Sequence, residues 1–180
     1  MINTLYPIFR QWSSKGSVYL ISDTHFDDDD CKLMDEKWIS PEEHLKNLSH
    51  INKNDTLIHL GDVGNPEYMN KLKCHKVLIM GNHDQSSEKF ISYFDEIYTG
   101  ALIVAEKLIL SHEPLDINWA FNIHGHDHNK ENKGDQYHLN LASNVANYQP
   151  YSLSKIIKSG VLKNVKSIHR ITIDKASRKS

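Results

Sequence analysis

The chain has 180 residues, with 21 Lys and Arg against 23 Asp and Glu, a formal net charge of −2 and 39% hydrophobic residues. This is an ordinary globular composition, long enough to bury a core without disulfide staples, and it predicts one domain spanning residues 1–180 with a core over about 17–174. The charge balance and a pI near 6.6 exclude a broad basic footprint for nucleic acid or an anionic membrane, and no apolar run is long enough to span one.

Residues 1–16 show no periodicity and receive no element. Residues 1–10 also lack the basic start and apolar run of a signal peptide, and Cys31 and Cys74 form no C-x-x-C pair. The expected compartment is therefore a reducing cytoplasm. Residues 18–21 are the first of several short Val/Ile/Leu-rich runs bounded by turn residues, the pattern of buried strands. Four aspartates at 27–30 follow, a run that reads as a solvated face. Ser40-Pro41-Glu42-Glu43 is a capping box with Pro at the first helical position, and it starts a helix carrying Leu45, Leu48 and Ile51 on one side.

Strands are predicted at 56–60 and 77–80, with helices at 66–73 (Tyr68, Met69 and Leu72 inward) and from Ser86 or Ser87 to Phe94. This alternation implies parallel strands with crossover helices. Residues 102–104 and 108–110 read as a hairpin, so the sheets are expected to be mixed. Strands at 121–123, 137–141 and 168–173, a short helix at 153–157 and a frayed basic tail at 175–180 complete the reading.

Polar motifs follow the predicted strands directly. Ser22-Asp23-Thr24-His25 comes after the first, Gly61-Asp62 after the second and Gly81-Asn82-His83-Asp84 after the third. Ser111-His112 follows residues 108–110, and His124-Gly125-His126-Asp127-His128 follows residues 121–123. The crevice beyond the carboxyl ends of such strands is where open α/β sheets bind ligands. A pocket of Asp, Asn and His without thiolate suits Mn, Fe, Zn or Ni rather than calcium. Seven ligands are too many for one ion and fit two ions sharing a carboxylate. The glycines before Asp62, Asn82 and His126 allow close backbone approach.

The motifs D-x-H at 23–25, G-D at 61–62, G-N-H-D at 81–84, a lone His112 and G-H-x-H at 125–128 resemble those of the calcineurin-like metallophosphoesterase superfamily, in its small single-domain phosphodiesterase form. Their order agrees, as do the spacings of 39, 20, 30 and 14 residues between Asp23, Asp62, Asn82, His112 and His126. A chance G-N-H-D has odds of roughly one in a thousand in such a chain.

The resemblance implies a four-layer α/β/β/α sandwich of two mixed β-sheets flanked by helices. It also implies two divalent ions, Mn first, with Fe, Zn or Ni as alternatives. Asp23, His25 and His128 would take one ion and Asn82, His112 and His126 the other, with Asp62 bridging. His83 would contact the phosphoryl oxygens and protonate the leaving group, and Asp84 is a candidate to orient it. The activity implied is hydrolysis of a P–O bond by a hydroxide bridging the ions.

The acidic run at 27–30 disfavours polyanions, so a small phosphodiester is the first substrate class. A phosphomonoesterase or nucleotide pyrophosphatase on the same ions is the alternative, followed by a non-catalytic scaffold. No nucleic-acid or membrane partner is expected, and the sequence does not set an oligomeric state. Asn65 departs from the family's usual Asp in G-D-x-x-D. His44, His50, His59 and His124 read as structural histidines, and Trp12, Trp38 and Trp119 as packing. Ser111, Glu113, Asn140 and Asn144 read as turn or capping residues.

Overall fold

A computed structural model describes residues 6–168. The predicted strand at 168–173 and the tail at 175–180 fall outside the described residues, apart from Ile168. The first sheet begins with β1 (Val18–Ile21), β2 (Thr56–His59), β3 (His75–Ile79) and β4 (Glu96–Tyr98), each parallel to the next. The second contains β5 (Leu102–Ala105), β6 (Leu108–Leu110), β7 (Phe121–His124) and β8 (His138–Asn140). There β5 and β6 form the predicted antiparallel hairpin, and β7 and β8 follow in parallel. The chain returns to the first sheet as β9 (Tyr151–Ser152), antiparallel to β1. The strand orders are β4-β3-β2-β1-β9 and β5-β6-β7-β8, so both sheets are mixed, as expected.

Strand alternation divides the core in two. Val18, Leu20, Ile58, Leu60, Val77 and Ile79 point to the second sheet and meet Val104, Leu108, Leu110, Phe121 and Ile123. Ile21, Leu57 and Leu78 point the other way and pack with Leu48, Ile51, Met69, Leu72 and Phe90. All four residues of β2 are buried, as befits a parallel strand covered on both faces. The helix α1 (Cys31–Met34) falls within the loop after β1, and α2 (Pro41–Leu48) begins with the predicted capping box, reciprocal bonds included. The helix α3 (Leu153–Lys158) sends Leu153 and Ile156 into the core between the sheets. No helix among the described residues is long and apolar enough to cross a membrane.

Several elements differ from the sequence reading. The helices expected at 66–73 and up to Phe94 are 3₁₀ turns, Pro66–Lys71 and Ser87–Phe90. Their caps are real, since Asn65 and Ser86 accept from the backbone N–H two residues on. The apolar residues, however, recur for only about one turn, which a 3₁₀ turn satisfies as well as an α-helix. The β4 sequence, Glu-Ile-Tyr, is short and half-buried and carries no alternating signal. Residues 7–13 form a 3₁₀ turn whose Phe9 and Trp12 are buried. The Trp12 Nε1–H donates to Glu96 Oε1 at 2.9 Å, and its carbonyl accepts from Thr56 Oγ1 at 2.8 Å, so this turn is fastened by contacts far along the chain.

Candidate metal centre

Because β1, β2 and β3 are parallel, their carboxyl ends lie along one edge and deliver Asp23, His25, Asp62 and Asn82 together. The parallel pair β6 and β7 delivers His112, His126 and His128 to the same place. Two sets of donor atoms converge there, Asp23/His25/His128 and Asp62/His112/His126, each within 4.8 Å of one another. Asp62 Oδ2 lies 3.3 Å from His112 Nε2 and 3.7 Å from His25 Nε2, between the two sets. Asn82 Oδ1 joins the second, 2.8 Å from His112 Nε2 and 3.0 Å from His126 Nδ1. All seven residues expected as ligands are thus gathered.

The backbone is bent hard to achieve this. Asp23, His25, Asp62 and His126 all have φ between 42° and 68°, the left-handed region that costs a non-glycine residue energy and clusters at functional sites. Gly61 shares that conformation, and a Cβ there would come within 2.6 Å of His112 Nδ1. At Gly125 a Cβ would run into Ser22 Oγ and Asp23 Oδ2. Close backbone approach is therefore required at both positions.

Hydrogen bonds set which nitrogen each ring presents. His25 Nδ1–H donates to Asp28 Oδ2 at 2.9 Å, His112 Nδ1–H to the Leu60 carbonyl at 2.8 Å and His128 Nδ1–H to Asn144 Oδ1 at 3.1 Å. Each leaves its Nε2 facing the centre, the usual arrangement for a metal-binding imidazole. His126 is turned the other way and presents Nδ1, 3.2 Å from His112 Nε2.

The electrostatics fit a pair of cations. His25 Nε2 is buried with no hydrogen-bond partner, an orphan that a metal ion would satisfy. Burial pushes the Asp23 carboxyl up to about 6. Burial alone would raise Asp62 as well, but the bond and charge of His112 and the His83 N–H hold it down at about 2. Burial would likewise lower His112, yet Asp62 and Asp23 lift it to about 9. Oxygen and imidazole donors without thiolate suit Mn, Fe, Zn or Ni.

His83 is exposed at the mouth, its ring centroid 5.5 Å from that of His25, and its backbone N–H donates to Asp62 Oδ1 at 2.9 Å. Asp84 does something other than orient it. Its carboxylate accepts from the N–H groups of Asp62 (2.8 Å), Val63 (3.1 Å) and Gly81 (2.9 Å), tying two ligand loops together. His59 is the satisfied core histidine expected, bonded to Thr24 Oγ1 at 2.9 Å and to the Gly61 N–H at 3.2 Å.

Four contributors were not singled out from the sequence for the roles they have. Asp28 was one of a bland charge run and Asn144 a turn residue, yet each anchors a ring. Trp38 lies against His25 and His128, at centroid distances of 5.8 and 5.7 Å. Asn65 donates to Asp27 Oδ2 at 2.8 Å, so the departure from Asp at this position places an amide where a second carboxylate would repel the acidic loop. Only Asn65 had a legible signal, its conflict with the motif beside an aspartate run.

The calcineurin-like phosphoesterase superfamily domain matches residues 17–145. An uncharacterized protein of Methanocaldococcus jannaschii, MJ1445, is 30% identical over 81% of this chain and 92% of its own. The crystal structure of the Aquifex aeolicus protein of unknown function AQ665 is similar with a TM-score of 0.64 at 28% identity, over 79% of this chain and 98% of that one. Pseudomonas putida nuclease MPE is more distant, with a TM-score of 0.46 at 22% identity over 61% of this chain and 60% of its own. On the extent of the domain match, the chain belongs to the calcineurin-like phosphoesterase superfamily.

Proposed function

We propose that the chain is a metal-dependent phosphodiesterase acting on small phosphodiesters at a dinuclear site. The observation that carries this reading is the position of Asp62, one carboxylate oxygen within 3.7 Å of a histidine from each donor set. Asp23, His25 and His128 would hold one ion, Asn82, His112 and His126 the other, and Asp62 both. Two divalent cations, Mn first, supply an acidified water and neutralise charge on the phosphoryl oxygens when bound.

The chain's own groups do the rest. His83, in solvent at the mouth, carries a proton to the departing oxygen, and its N–H on Asp62 Oδ1 holds the bridging carboxylate in register. Asp28, Leu60 and Asn144 keep the Nε2 atoms of His25, His112 and His128 aimed inward. The carboxylates at 27–30 repel doubly charged monoesters more than singly charged diesters. Cys31 and Cys74 are free and buried, which suits a reducing cytoplasm.

Side-by-side rates on bis-p-nitrophenyl phosphate and p-nitrophenyl phosphate with added Mn²⁺ test the reading. The diester is expected to be the better substrate. A monoester preference of about tenfold would replace this reading with a phosphomonoesterase, and absence of bound metal after dialysis against Mn²⁺ would replace it with a non-catalytic scaffold.

A further inference from the structure

His59 is fully buried at the end of β2, on the same side of the strand as Leu57, and the Phe94 ring lies 6.4 Å from its own. An apolar side chain would suit that position, since a buried imidazole is costly unless both of its nitrogens are bonded. Here both are. The Gly61 N–H donates to Nδ1 at 3.2 Å, so the ring proton lies on Nε2, which donates to Thr24 Oγ1 at 2.9 Å. The Thr24 hydroxyl donates in turn to the Val63 carbonyl at 2.9 Å. This series of bonds leaves the main chain one residue before Asp62 and returns to it one residue after.

Thr24 sits between two other expected ligands. On either side of it, the Asp23 N–H donates to the Gly61 carbonyl at 2.9 Å and the His25 N–H to the Asp62 carbonyl at 3.1 Å. The Thr24 side chain therefore supplies the rung between two main-chain rungs that join the loops. Asp23, His25 and Asp62 have φ of 54°, 42° and 56°, conformations that persist only where the surroundings over-determine them.

We propose that His59 and Thr24 are positioning residues for the bridging carboxylate, their bonds clamping residues 61–63 in the turn that aims Asp62 at both donor sets. Neither side chain belongs to a donor set, and both act through the main chain of the ligand loops. The inference rests on the dinuclear reading and deepens it.

Mn²⁺ titration of the metal-free full chain, followed by electron paramagnetic resonance, reads the bridge directly. Two ions sharing a carboxylate give an exchange-coupled spectrum, and isolated ions do not. Thr24→Val keeps the branched shape and removes the hydroxyl, whereas His59→Asn keeps an acceptor for the Gly61 N–H and falls short of Thr24. Each is expected to lose the coupled spectrum and to weaken the second equivalent of Mn²⁺ about 10- to 100-fold. Thr24→Ser, which restores the hydroxyl, is expected to regain the coupled spectrum. At saturating Mn²⁺, the kcat of Thr24→Val and His59→Asn for bis-p-nitrophenyl phosphate should fall about tenfold or more with KM little changed.

A lower Tm with an intact coupled spectrum in Thr24→Val and His59→Asn would mark both residues as structural only and overturn the proposal. So would Thr24→Ser behaving like Thr24→Val. An unmodified chain that binds fewer than two Mn²⁺ overturns the dinuclear reading and the proposal with it. Loss of the coupled pair in the variants of a chain that turns over no diester supports the proposal and overturns the phosphodiesterase reading alone.

Discussion

His112 is anchored by main chain, its Nδ1–H on the carbonyl of Leu60, the residue that follows β2. His25 and His128 are anchored by loop side chains, the half-exposed Asp28 and the buried Asn144. One histidine of the second donor set is thus oriented by main chain beside the sheet, and two of the first by side chains whose positions depend on loop conformation. The half anchored by loops is also the half beside Trp38. A ligand oriented by a carbonyl cannot be retuned without moving the main chain, whereas those oriented by loop side chains can be adjusted by single substitutions.

The largest expected effect abolishes the distinction between the two halves. Asp62→Asn removes the charge facing both sets, and metal analysis together with bis-aryl phosphate turnover should show loss of both ions and of activity. Retained turnover would remove the bridging role. His83→Ala should leave metal content unchanged while slowing diesters with poor leaving groups about 10²- to 10⁴-fold. Activated aryl esters should lose much less, and equal losses for both would contradict proton donation.

A smaller effect separates the halves. Asp28→Ala and Asn144→Ala should each weaken Mn²⁺ binding at the first position about 10- to 100-fold, leaving one tight site per chain in a calorimetric titration. Equal weakening at both positions would show that anchoring by loop and by backbone are energetically alike. The smallest effect lies furthest from the metals. Asn65→Asp replaces an amide that donates to Asp27 with a like charge, and thermal unfolding should show a Tm lower by about 1–3 °C, an effect that 0.5 M NaCl should diminish.

Much of the architecture was legible because parallel strands covered on both faces are nearly continuous apolar runs. All four residues of β2 are buried, and the run from Thr56 to Leu60 stands out between Asn54-Asp55 and Gly61-Asp62. The α2 N-terminus was legible because a capping box is a local device. The 3₁₀ turns, β4 and β9 were not, because each is too short for a period and owes its conformation to distant partners, as Trp12 does to Glu96 and Thr56. In the site, ligand residue types were readable from motifs that follow apolar runs. Asp28 and Asn144 were hidden because a carboxylate in a charge run and an amide after a strand look alike whether or not an imidazole lies within 3.1 Å.

Chemical identity belonged to the sequence alone. Carboxylates, an amide and imidazoles follow successive strands in an order that could serve two cations, with no thiol among them, because side-chain chemistry does not depend on the fold. Direction belonged to the tertiary structure. It decided that His25, His112 and His128 present Nε2 and His126 presents Nδ1, and that four of the seven residues take left-handed backbone. These features are contacts between segments as far apart as residues 23 and 126, and only packing of the two sheets brings such partners within bonding distance.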